Sequence, residues 1–107
     1  MAKDNILLIT TDQQRFDTLN AWGNQSIFTP HLNYMAAMGI SYKNCYASCP
    51  ICVPSRTTIM TGRQGYESGV ISNATHETFM RACTEERSTL PAVLIDAGYQ
   101  TCAKGKM

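Results

Sequence analysis

Three closely spaced cysteines, Cys45, Cys49 and Cys52, are the first residues in this sequence whose type and spacing could do chemistry. Cys45-x3-Cys49-x2-Cys52 suits metal ligation or redox exchange, or arises by coincidence, and its flanks must decide. With Cys83 and Cys102 the count is five, an odd number that cannot pair completely within the chain. After Cys52 the chain reads Val53-Pro54-Ser55-Arg56-Thr57-Thr58-Ile59-Met60-Thr61-Gly62-Arg63. Pro54 suits the first turn of a helix, where its missing N–H costs nothing, and Gly62 suits its end. Cys52 therefore falls at or just before a helix N-terminus. A second candidate is Asp12, a carboxylate that follows the apolar run from Asn5 to Thr11 and opens the polar stretch Asp12-Gln13-Gln14-Arg15. That arrangement fits a strand buried on both faces with a functional loop at its C-terminal end.

The elements that must position these residues alternate between two periods. Strands are expected at 5–11, 41–47 and 99–103, and helices at 31–38, 54–61 and 89–97, an α/β order with a mainly parallel sheet. Thr29-Pro30 opens the first helix and Gly39 closes it. Ser88 or Thr89 caps the last, with Pro91 in its first turn and Gly98 at its end. Met35, Met38 and Met60 read as core packing, and Cys83 and Cys102 as small structural side chains. His31 and His76 read as a helix-start residue and a loop residue, and residues 63 to 87 as mainly loop. The length of 107 residues suits one modest domain or part of a larger one. Nine Lys and Arg against eight Asp and Glu leave a net charge of +1, which gathers neither nucleic acid nor anionic lipid. No apolar run is long enough for a membrane span. The start, Met-Ala-Lys-Asp-Asn, lacks a long apolar signal core, so cytoplasm is the default compartment, with periplasm or exterior open to a parent protein.

The stretch Cys52-Val53-Pro54-Ser55-Arg56 followed by Thr61-Gly62-Arg63 resembles the signature of type I, formylglycine-dependent sulfatases, members of the alkaline phosphatase superfamily. The resemblance calls for T-P-x-L at a helix start, matched by Thr29-Pro30-His31-Leu32. It also calls for G-Y-x-T ahead of G-K, matched by Gly98-Tyr99-Gln100-Thr101 and Gly105-Lys106. The match covers nearly the whole chain, and it implies that residues 1–107 are the N-terminal part of a sulfatase catalytic domain, an alkaline phosphatase-like α/β/α sandwich, truncated after G-K. Asp12 and Cys52 are then expected to gather at one edge of the sheet. An exposed sheet edge is expected to pair with another copy of the chain.

The resemblance makes Cys52 the position converted to formylglycine and Arg56 and Lys106 its catalytic companions. A thiolate attacking a sulfate ester would leave a thiosulfate with no easy exit, whereas a hydrated aldehyde offers one hydroxyl to attack sulfur and a second to expel sulfate. The positive end of a helix and its unpaired N–H groups would favour the anionic substrate. Asp12, Gln13 and residue 52 match positions that hold a divalent cation, Ca2+ first and Mg2+ as the alternative. Gln13 stands where many sulfatases have a second Asp, so it brings an oxygen without a charge. Lys106 matches the lysine of G-K-W-H; Met107 replaces the Trp, and the next ligands lie beyond the chain, so the isolated chain is expected to be inactive. The implied partners are a small-molecule or carbohydrate sulfate ester and a formylglycine-generating or anaerobic maturase enzyme. A phosphonate or phosphate monoester hydrolase is the near alternative. The more distant one is an iron–sulfur or redox protein: Cys45, Cys49 and Cys52 have the spacing of a radical S-adenosylmethionine cluster motif, and Cys49-Pro50-Ile51-Cys52 that of a thioredoxin-like pair. Neither gives Val53-Pro54-Ser55-Arg56 or Thr61-Gly62-Arg63 a task.

Overall fold

The computed structural model describes residues 3–73 and 89–106, in two units, Met1–Cys45 and Tyr46–Met107. In the first unit a 3-10 turn, Asn20–Trp22, meets helix α1, Pro30–Met38. Pro30 at the first position of α1 has a φ already suited to the helix. The two elements are joined by short polar side chains. Thr29 Oγ1 accepts from the Asn20 backbone N–H at 3.1 Å, and Asn33 Oδ1 from that of Ala21 at 2.9 Å. These bonds satisfy donors that a one-turn helix cannot satisfy itself. Thr29 Oγ1 donates in turn to Asn33 Oδ1, and Asn33 Nδ2 donates to Asn20 Oδ1, both at 3.0 Å. The Phe16 and Trp22 rings pack with centroids 5.6 Å apart.

The second unit holds α2, Cys52–Thr61, α3, Gly65–Ser68, and α4, Leu90–Asp96, with α2 packed against both others. Its buried centre is Pro54, Thr57 and Val70. Thr57 is tolerated there because its hydroxyl donates to the Val53 carbonyl at 2.8 Å, and Thr61 repeats the bond to Thr57 at 2.8 Å. Gly62, at φ 71°, ends α2 with its N–H on the Thr58 carbonyl. Helix α3 lies within the stretch read as loop, fixed by a reciprocal cap between Gln64 and Glu67. A Cβ on Gly65 would stand 2.9 Å from the Val70 carbonyl oxygen, so only glycine lets α3 approach the segment that follows it. Thr89 caps α4 by accepting from the Ala92 N–H at 3.4 Å. The helix closes in a Schellman turn at Gly98, with Gly98 N–H on the Ile95 carbonyl and Tyr99 N–H on that of Leu94.

The α/β sheet expected from the sequence is not formed. Among the described residues there is no strand at 5–11, 41–47 or 99–103, and no sheet edge on which a second copy could pair. Ile6, Leu7, Leu8 and Ile9 are 64, 83, 56 and 68% exposed. An apolar, β-branched run has the side chains of a buried strand, but a strand exists only through the ladder it makes with a neighbour. Met35 and Met38, read as core, are likewise exposed, for the same want of a layer against which α1 could bury them. His76, Cys83, Ser88 and Met107 lie outside the described residues.

The Asn33 side chain makes two bonds to the 3-10 turn and a third to Thr29 at the start of its own helix, so Asn33→Ala should lower stability by about 2–3 kcal/mol, at about 1 kcal/mol for each bond. The exposed His31→Ala, on the same helix, should stay within about 0.5 kcal/mol. Urea unfolding followed by circular dichroism compares the two.

Candidate active site

Helix α2 starts on Cys52 itself, two residues before the predicted start. Its N-cap, Ile51, sits in extended backbone and has no side-chain atom able to accept from the first turn. The cap comes instead from Asn73, whose Oδ1 accepts from the Val53 N–H at 3.1 Å and from the Cys52 thiol at 3.4 Å. A backbone N–H can only donate, so the amide atom facing it is the oxygen. Pro54 has no N–H, and the Ser55 N–H bonds the Ile51 carbonyl at 3.1 Å. The open N–H groups expected at this helix start are therefore largely engaged. What the first turn offers an anion is chiefly its dipole.

Cys52 and Cys49 are half-buried, Cys45 and Cys102 exposed, and all four are free thiols. Arg56 follows Cys52 by one helical turn and is half-buried. Its Nη1 donates to the backbone carbonyl of Lys106, which joins two of the predicted catalytic residues across 50 positions of sequence. Gly105, at φ 105°, turns the chain at that contact, and Lys106 is exposed.

In the first unit Asp12 and Gln13 form an exposed bend. Gln13 has φ 55°, a left-handed conformation that costs a non-glycine residue about 1 kcal/mol. The Asp12 carboxylate and Gln13 amide are adjacent hard oxygen donors, the type Ca2+ and Mg2+ take. Among the described residues no three His, Cys, Asp or Glu side chains gather as a metal cage, and a pair of oxygen donors is at most a fraction of the six to eight that Ca2+ takes. Cys52 fits a hard cation poorly as a thiol; an oxygen at residue 52 would fit it. Just beyond, Arg15 and Asp17 form a two-pronged pair, Nε to Oδ1 at 2.8 Å and Nη2 to Oδ2 at 2.6 Å. The hydrogen bonds and charge of Arg15 hold the Asp17 carboxyl below its ordinary value, and Asp17 in turn raises Arg15.

Asn73 is the site residue that sequence reasoning missed. It lies 21 positions after Cys52 with no local pattern to connect them, and reads as one more polar residue of a loop.

The sulfatase family model matches residues 4–107. The chain is 38% identical over 112 residues to an arylsulfatase of Clostridium perfringens (strain 13 / Type A), a match covering 98% of this chain and 21% of the relative. It is 36% identical over 104 residues to an N-acetylglucosamine-6-O-sulfatase of Bacteroides thetaiotaomicron, covering 97% of this chain and 18% of the relative. With the N-acetylgalactosamine-6-sulfatase of Homo sapiens it shares 32% over 109 residues, covering 95% and 21%. The chain thus spans about a fifth of the length of these relatives. No solved structure matches it.

The lowered Asp17 carboxyl has a consequence in acid. A group whose folded value is depressed contributes stability that is present above its unfolded value and lost as pH falls through the folded one. Asp17 should accordingly titrate below the ordinary carboxylate value of about 3.9, and Arg15→Gln should return it toward that value. Carbon-detected NMR of the Asp17 carboxyl reads the midpoint in both.

Proposed function

Because the chain belongs to the sulfatase family, we propose that the whole protein is a sulfuric ester hydrolase, cleaving a sulfate ester to an alcohol and inorganic sulfate. The observation that supports this reading is Cys52 on the first position of α2, with Arg56 one turn on and bonded to the Lys106 backbone. In this reading residue 52 carries the nucleophile after conversion to formylglycine by a maturation enzyme, and the hydrated aldehyde supplies two hydroxyls on one carbon. The half-buried Arg56 steadies the charge at residue 52 with a planar, permanently protonated fork. Lys106 contributes a second cation toward the sulfate. The dipole of α2 favours an anion at the same end. Asp12 and Gln13 are the residues of this chain that would hold a divalent cation, Ca2+ before Mg2+, and that cation when bound lowers the pKa of a hydroxyl and draws charge from sulfate oxygens.

The relatives' names make aryl sulfates and 6-sulfated amino sugars the first substrates to try. The test uses the whole protein, produced with a formylglycine-generating enzyme. Its Cys52 peptide should be lighter by about 18 Da, the change from cysteine to formylglycine. Cys52→Ala should lower kcat at least about 10³-fold, and Arg56→Lys about 10²-fold through loss of the guanidinium fork. Chelation should remove activity and added Ca2+ restore it. Faster turnover of aryl phosphates or phosphonates than of aryl sulfates would sink the sulfatase reading in favour of phosphorus chemistry.

A further inference from the structure

We infer that Asn73 is a positioning residue for side chain 52: its amide oxygen holds the group at that position as a hydrogen-bond donor while closing the first turn of α2. The catalytic consequence rests on the function proposed above; the positioning itself does not.

A single carbonyl oxygen with two lone pairs takes both bonds, one from the Val53 N–H at 3.1 Å and one from the Cys52 thiol at 3.4 Å. The first bond fixes that oxygen against the helix backbone, so the second fixes side chain 52 against the same frame. Asn73 is also delivered to this place by packed structure. Three residues earlier Val70 is fully buried, and its carbonyl lies against Gly65, where a Cβ would come within 2.9 Å. The segment from α3 to Asn73 is thereby anchored before it reaches Cys52.

The chemistry of an amide explains the choice of residue. Its oxygen only accepts, so whatever group on residue 52 faces it must present a hydrogen: the S–H of the thiol, or an O–H if the residue carries hydroxyls. A carboxylate would accept equally well but would set a negative charge beside an anionic ester. Asparagine supplies the acceptor without the charge. The role is distinct from ordinary helix capping, because a cap needs only the bond to Val53 and would leave side chain 52 unconstrained.

The thiol form of the 107-residue chain tests the positioning through the alkylation rate of each cysteine with iodoacetamide at fixed pH, resolved by peptide mass spectrometry. In Asn73→Ala, Cys52 should react about fivefold faster, the effect of losing one hydrogen bond, while the exposed Cys45 and Cys102 keep their wild-type rates. In Asn73→Asp, which retains the acceptor, Cys52 should react no faster than in the wild type. An unchanged Cys52 rate in Asn73→Ala overturns the inference. So does acceleration of Cys52 in Asn73→Asp, a comparison that stands even if Asn73→Ala fails to fold. In the matured whole protein, Asn73→Ala should lower kcat for an aryl sulfate about tenfold with KM within twofold, whereas Asn73→Asp should mainly raise KM. A wild-type protein that turns over phosphate esters instead would refute the sulfatase reading, and the alkylation rates would still decide the role of Asn73.

Discussion

The first turn of α2 is the constraint on which the second unit depends. A helix that opens on Cys52 behind an isoleucine, with proline at its third position, has no local means of closing its N-terminus. One amide oxygen, brought from Asn73, closes it. For that oxygen to arrive, the chain must leave α2 through the left-handed Gly62, make the single turn of α3 under the Gln64–Glu67 cap, and leave again through the left-handed Gly69. The close approach of Gly65 to the Val70 carbonyl keeps that return path short. Removing the Cβ-free position would push the segment outward and take the cap with it.

A different contact fixes the cationic side of the same helix. Arg56 reaches the Lys106 carbonyl, and α4 packs against α2 before the chain gets there. The Schellman turn at Gly98 supplies the reversal after α4. A guanidinium suits the contact because it has five donors in a plane and can hold a backbone carbonyl with one while directing others elsewhere. The contact orders the Arg56 side chain against the end of the chain.

The first unit is held by a different kind of interaction. Its tie between the 3-10 turn and α1 is a lattice of asparagine and threonine side chains, with Asn24 adding a bond to the Asp17 carbonyl at 2.6 Å. Such groups fix geometry tightly because each bond is directional, but they bury little apolar surface. The apolar side chains of the unit are mostly turned to solvent, from Ile6–Ile9 to Met35 and Met38. The bend that carries Asp12 and Gln13 is strained at Gln13, whose backbone is left-handed.

The sequence alone determined three of the helices and the family, while α3 and the 3-10 turn at Asn20–Trp22 escaped it. Proline at a first turn, glycine at an end and threonine at a cap act over three or four residues, so Pro30–Met38, the body of α2 and Leu90–Asp96 could be read from local pattern. The Cys52-Val53-Pro54-Ser55-Arg56 and Thr61-Gly62-Arg63 motifs are equally local, which is why the family is legible in the sequence. Strands at 5–11, 41–47 and 99–103, expected from an apolar β-branched run, from alternation and from element order, do not form: such patterns describe side-chain preference, whereas a strand also needs a second strand to bond. Tertiary structure alone decided that α2 would be capped by Asn73 and that Arg56 would meet Lys106. Both contacts join residues 20 or more positions apart, and no short-range propensity encodes which distant oxygen a given N–H will find.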